Sequence, residues 1–218
     1  MQEFNSPNIY FVIALLTGLS LAPFMAIMVT SFTKISIVLS LIRNALGVQQ
    51  VPSNMVINGL AIILSFYIMT PVAFQMMEKA QDIDLSEKNV ASLIELGNAV
   101  KEPMKEFLIK HSHQKERLFF IRTAHAIWPE KLATTLEDDD LMVLVPAFTV
   151  TELTAAFQIG FLLYLPFIAI DLVVSNVLLA MGMMMVSPMT ISLPFKLLLF
   201  VLLDGWSKLI HGLIMTYV

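Results

Sequence analysis

The sequence predicts an all-α, membrane-associated protein in which four apolar segments form helical hairpins around one small helical polar region. Composition is the first reason. Of 218 residues, 57% are hydrophobic and 14% charged, with mean hydropathy +0.80, whereas soluble domains carry about 25% charged residues. Segregation is the second: 13 of the 17 acidic and nine of the 13 basic residues fall within 78–140. The third is the run 146–188, PAFTVTELTAAFQIGFLLYLPFIAIDLVVSNVLLAMGMMMVSP, which holds two charges, Glu152 and Asp171. About 20 apolar residues suffice to cross a bilayer.

These features divide the chain into a first apolar hairpin (1–77), a polar, acidic region (78–145) and a second apolar hairpin with a methionine-rich turn (146–218). The first apolar segment runs over about 9–29 and continues into the amphipathic TSFTKISIVLSLIRNALG. MQEFNSPNIY lacks the basic start of a secretory signal peptide, so this segment is expected to be retained. The second covers about 55–77. In the polar region Val90, Leu93, Ile94, Val100, Met104, Phe107 and Leu108 recur at near-helical spacing, which predicts a small amphipathic bundle. His111 and His113 stand two apart, cannot share a helix face and have no further ligand nearby in sequence, so no metal site is expected there. The acidic run 137–140 reads as a solvated turn.

The third apolar segment covers about 152–181. Thr149 followed by Glu152 fits a capping box opening it. Pro166 is expected to kink or break this helix. Pro188 and Pro194 are expected to bracket the turn into the fourth segment, about 193–217. The connection 33–54 carries Lys34 and Arg43 and no acid, the mark of a cytoplasmic loop. By alternation the polar region and both termini face the other side, the periplasm in a bacterium. The net charge of −4 argues against nucleic acid. Without cysteine there is neither a disulfide framework nor a thiolate metal site.

Five ionisable residues stand in or beside the apolar segments: Lys34, Glu152, Asp171, Asp204 and Lys208. Charges in lipid are functional candidates by default, yet the plainer reading is that they pair between helices or subunits and fix assembly. A proton or ion relay is the alternative. Two aspartates could also serve an intramembrane protease, but Asp204 sits in LLDGW, neither has a Gly-x-Gly approach, and no HExxH, GxSxG or phosphate-binding glycine loop occurs. Catalysis is therefore not expected, and no cofactor is implied.

The methionines at 181 and 183–185, interrupted by Gly182 and followed by Met189, cannot share one helical face. Methionine is normally a sparing gap-filler. Clustered at a bend and repeated around a symmetry axis, it would form a soft gasket that excludes water and yields to a passing chain. Copper binding by thioethers is the rival reading, without histidine or cysteine nearby.

PAFTVTELTAAFQIGF, then LPFIAIDLVVSNVLLAMGMMMVSPMTISLPFKLLLFVLLDGW, resembles the double signature of the FliP/SctR family, inner-membrane export-apparatus proteins of flagellar and virulence-associated type III secretion systems. TSFTKISIVLSLIRNALGVQQVPSNMVINGLAIILSF is similar to the family's first hairpin, so the resemblance covers about residues 22–206. Flagellar members usually have a cleavable signal peptide and a longer polar segment, and this chain is expected on the virulence-type branch. The resemblance implies a multi-pass inner-membrane subunit of a homo-oligomer, a pentamer. SctS-like, SctT-like and SctU-like subunits (FliQ, FliR and FlhB in flagella) would complete and join it. It implies a ring or cone-like complex raised from the bilayer plane, forming the gate for unfolded secreted polypeptides. By position, Met183, Met184 and Met185 match the family's methionine gasket. The runner-up function is an ion-coupled transporter using Asp171 and Asp204; that class is built on inverted repeats, and none is evident here.

Overall fold

The computed structural model describes residues 9–48, 50–81 and 90–218. Among them there are only helices: α1 (Ile9–Val29), α2 (Phe32–Ala45), α3 (Asn54–Gln81), α4 (Val90–His111), α5 (Gln114–Ile127), α6 (Glu130–Ala133), α7 (Leu141–Ala180), α8 (Pro188–Leu202) and α9 (Gly205–Met215). The all-α, four-segment expectation holds. Helices α3 and α7 are long and apolar enough to cross a membrane, and up to four spans result if each of two bent helix pairs counts as one.

The chain forms two compact units. One takes in the described residues up to Ser31 together with Met69–Glu152. Here α1 packs on α4, and Phe107 and Leu108 of α4 are buried along with Val143, Leu144, Ala147 and Phe148 at the start of α7. The Phe107 ring lies 5.7 Å from Phe148 and 4.7 Å from His111. The expected stripe on α4 is thus half realised. Phe107 and Leu108 are core, Val100 and Met104 are half-buried, Ile94 is exposed, and the Val90 and Leu93 side chains lie outside the described residues.

The start of α7 differs from its sequence reading. The helix opens at Leu141, before the presumed cap, because Asp140 already accepts hydrogen bonds from the amides of Val143 and Leu144 (both 2.8 Å). Thr149 sits inside the helix, and its hydroxyl donates back to the Val145 carbonyl at 2.8 Å and to Met28 at 3.3 Å. The acidic run 137–140 is a turn as expected, but three of its side chains are engaged: the Asp140 carboxylate accepts from the Glu137 amide at 2.9 Å, and the other two pair with bases. Asp139 meets Lys105 at 2.7 Å and Asp138 meets Arg117 at 3.3 Å.

The other unit comprises Phe32–Ile68 and Leu153–Val218. Its core is written in the period of α2, where Ile35, Val38, Leu39, Ile42 and Ala45 recur at three and four residues and are all buried. They meet Ile57, Ala61 and Leu64 of α3, Ala156 and Phe167 of α7, Phe200 of α8, and Leu209 and Leu213 of α9. The opposite side of α3, with Ile62, Ile63, Phe66 and Tyr67, is exposed in the single chain. That distribution, one face in the core and the other equally apolar face uncovered, suits lipid or neighbouring subunits rather than water.

Pro166 does not break α7, which runs unbroken through all 40 residues. The fourth segment divides instead. Pro188 takes the first turn of α8, where a missing N–H costs nothing, and Pro194 lies inside that helix rather than in the turn. The break falls at Asp204, whose φ of 51° is left-handed. Asp is among the few residues that adopt this conformation readily, and α9 leaves it at 61° to α8. Phe200 closes the corner edge-on against Trp206, centroids 5.3 Å apart.

Candidate functional site

The α7–α8 connection is ordered by its own backbone. The Met183 amide donates to the Leu178 carbonyl at 2.9 Å, and the Gly182 amide to Leu179 at 3.0 Å. With Gly182 at φ 74°, this is the paired-bond termination in which a left-handed glycine lets the chain reverse and satisfies the last free carbonyls of a helix. The methionines that follow are pushed outward: Met183 is 41% exposed, Met184 83%, and Met185 fully. Met181 and Met189 flank them, also exposed. Beneath the turn, α7 and α8 leave an apolar groove of about 560 Å³ lined by residues such as Val174, Leu178, Ile191 and Phe195. The tip therefore presents unbranched apolar side chains that nothing within the unit covers.

What braces the hairpin below the tip is an ionic clamp. Lys196 donates to Asp171 Oδ2 at 2.6 Å and to the Ala45 carbonyl at 3.2 Å, and the Ser192 hydroxyl donates to Asp171 Oδ1 at 2.5 Å. Ser192 and Lys196 stand one turn apart on α8, so both face one carboxylate on α7. Ala45 closes α2, where carbonyls have no partner inside the helix, and Lys196 supplies one. Three helices thus meet at a single ammonium that is almost wholly buried. Gly47 (φ 79°) ends α2 in the same left-handed way as Gly182 ends α7.

The other sequence candidates are dispersed. Lys34 is buried on α2, with its ammonium 3.7 Å from the centre of the Tyr217 ring, a cation–π contact. Glu152, 2% exposed, is engaged within the chain. Asp204 and Lys208 are exposed in the single chain, and Asp204 serves as the residue before α9. Asp171 is brought to Lys196, not to Asp204. The sequence reading missed Lys196 and Ser192. The signal was a lysine inside the apolar LPFKLLLF, four residues after a serine. His111 stacks on Phe107, while the His113 amide donates to Thr151; among the described residues no three His, Asp or Glu side chains gather as metal ligands.

Comparison with known proteins gives a consistent answer. The family model described as FliP family matches residues 15–213. The chain is 55% identical over 210 residues to the Yop proteins translocation protein R of Yersinia pestis, covering 96% of this chain and 95% of that one. It is 52% identical over 208 residues to the hypersensitivity response secretion protein HrcR of Ralstonia nicotianae, with 94% and 95% covered. To the virulence protein YscR of Salmonella typhimurium it is 46% identical over 205 residues, again with 94% and 95% covered. Every candidate residue named above lies within or beside the matched span, and the relatives are virulence-associated: this chain belongs to the FliP family, on its virulence-type, SctR-like branch.

Proposed function

We propose that this chain is a core, non-enzymatic subunit of the type III secretion export gate, forming the entrance pore for unfolded secreted polypeptides across the bacterial inner membrane. The observation that carries the reading is the methionine tip, an uncovered apolar turn held on a braced helical hairpin. Hydrophobic constrictions close pores by excluding water. Methionine, unbranched and polarizable, repacks around whatever displaces it. Several such tips converging on an axis would seal against ions and part for an extended chain. The relatives' names speak of translocation and secretion, and the large uncovered apolar faces call for neighbours. Those neighbours are further copies of the chain, as a pentamer, with SctS-, SctT- and SctU-like subunits. Lys34 and Arg43 belong on the cytoplasmic side and the acidic region in the periplasm.

The transporter reading needs a carboxylate free to load and release an ion. Asp171 is occupied by Lys196 and Ser192, and Asp204 lies apart from it on the exposed corner before α9. Native mass measurement of the purified complex tests the assembly, with a multi-copy ring plus partners as the expected result. A monomer or dimer of full activity would sink it. Replacing Met183, Met184 and Met185 together by alanine tests the seal. Cells are expected to become permeable to small ions while the complex still assembles, and Met→Leu at the same positions to preserve the seal better than export. A triple-alanine complex that assembles, conducts no more than wild type and secretes normally would reduce the methionines to packing.

A further inference from the structure

The methionine tip has a chemical property separate from its softness. Met184 and Met185 are the two most exposed side chains of a local cluster of five thioethers, and the segment carrying them is a turn rather than a helix. Thioether sulfur is oxidised by peroxides according to its exposure, and the product is polar and chiral where the parent was apolar and flexible. We propose that the tip is an oxidation site, at which peroxide converts Met184 and Met185, and then Met183, to sulfoxides and so opens the seal to water. This rests on the reading of the turn as the pore seal.

The chemistry balances with one oxidant of stated class. A sulfur lone pair attacks one oxygen of hydrogen peroxide and the O–O bond breaks. That oxygen becomes the sulfoxide S=O, and the other leaves as water after proton transfer. Sulfur loses two electrons and peroxide gains them. Each sulfoxide places a strong hydrogen-bond acceptor where a dewetted constriction requires none. In an oligomer each oxidised position recurs in every copy at one level.

Selectivity follows from surroundings. Met25 and Met28 of α1 are about half exposed and Met69 of α3 is half-buried, whereas Met184 is 83% exposed and Met185 fully. Met142, exposed at the start of α7 in the polar unit, is open to oxidant but far in sequence from the tip, and serves as an internal control.

The experiment uses the intact export-gate complex reconstituted in vesicles loaded with a small dye and exposed to dilute hydrogen peroxide. Peptide mass spectrometry then follows the gain of one oxygen at each methionine. Met184 and Met185 are expected to be modified before Met25, Met28 and Met69, and dye release to rise in step with them. The methionine sulfoxide reductases MsrA and MsrB should reverse both changes. A complex with Met183→Leu, Met184→Leu and Met185→Leu should show no oxidant-dependent release, whereas Met142→Leu should leave it unchanged. Oxidation of Met184 and Met185 no faster than of Met25, Met28 and Met69 overturns the proposal and leaves the gate reading intact. The same holds if they oxidise without dye release, provided the triple-alanine complex leaks without oxidant. If that complex does not leak either, the gate reading falls as well.

Discussion

At its N-terminal end α7 follows an acidic turn, residues 137–140, whose carboxylates reach back to Lys105 on α4 and Arg117 on α5. At its C-terminal end it runs into a turn of methionines with no charge at all. The first turn, closed by hydrogen bonds between Glu137 and Asp140, is tied to its neighbours by partly exposed ion pairs, with Asp138 and Asp139 about half exposed. The second is held by backbone bonds around Gly182, and the hairpin beneath it by a buried clamp. The difference follows from what each turn leaves on its surface. A turn that displays charge can be anchored by that charge. A turn that must display only apolar atoms has to take its rigidity from the backbone and from groups hidden below it. α7 carries both ends of the contrast because its 40 residues are twice the roughly 20 that a bilayer crossing needs.

The largest effect is expected at the clamp. Lys196→Met keeps the apolar stem but leaves Asp171 facing Ser192 alone and strips the Ala45 carbonyl of its donor. Losing one partner of a buried pair costs about 3–5 kcal/mol. The low end applies here, because 30% of the Asp171 side chain is exposed. Denaturation of the detergent-solubilised protein should register the loss, and Lys196→Met with Asp171→Leu should recover most of it. No recovery in the double variant would mean that Lys196 acts through packing rather than through its charge.

Most of the architecture could be read from the sequence, and the misreadings share a cause. The helices of the second unit are legible because α2 writes its buried face plainly, Ile35, Val38, Leu39 and Ile42. Asp171 was legible as a charge in an apolar run, but its partner was not, because pairing depends on which helices meet. Only the fold brings residues 45, 171 and 196 together. Thr149 resembled a cap because local spacing cannot tell a helix start from a threonine that bonds back to its own helix. The break at Asp204 had a local signal in its Asp-Gly pair, obscured by the continuous apolar run on either side. The methionine tip was fully legible as a bend, since glycine followed by thioethers and then proline leaves a helix few ways to continue.

A smaller effect is expected at Gly182. Its φ of 74° suits glycine, and a left-handed residue with a Cβ costs roughly 1–2 kcal/mol. A Cβ there would meet nothing within 4 Å, so Gly182→Ala carries the backbone cost alone, and Gly182→Asn should carry less of it. The same denaturation measurement checks both. Equal stability of all three proteins would remove the backbone as the source of order in the methionine turn and leave only the clamp.

The smallest effect belongs to the acidic turn, and its signature is dependence on pH and salt. The hydrogen bond from Lys105 holds the Asp139 carboxyl below its ordinary value of 3.8, so its contribution is complete above that pH and is lost as pH falls through the lowered value. The same bond raises Lys105 above 10.5; that contribution is complete below 10.5 and is lost as pH rises beyond it. Asp139→Asn should therefore differ from wild type between these limits and converge with it outside them. Salt should shrink the difference, since the carboxylate is open to solvent, while the Lys196→Met difference should hardly move. Melting curves of both variants across pH, at low and at high salt, provide the check. An Asp139 effect as insensitive to salt as that of Lys196 would mean that the two ends of α7 are held in the same way, and the contrast between them would be lost.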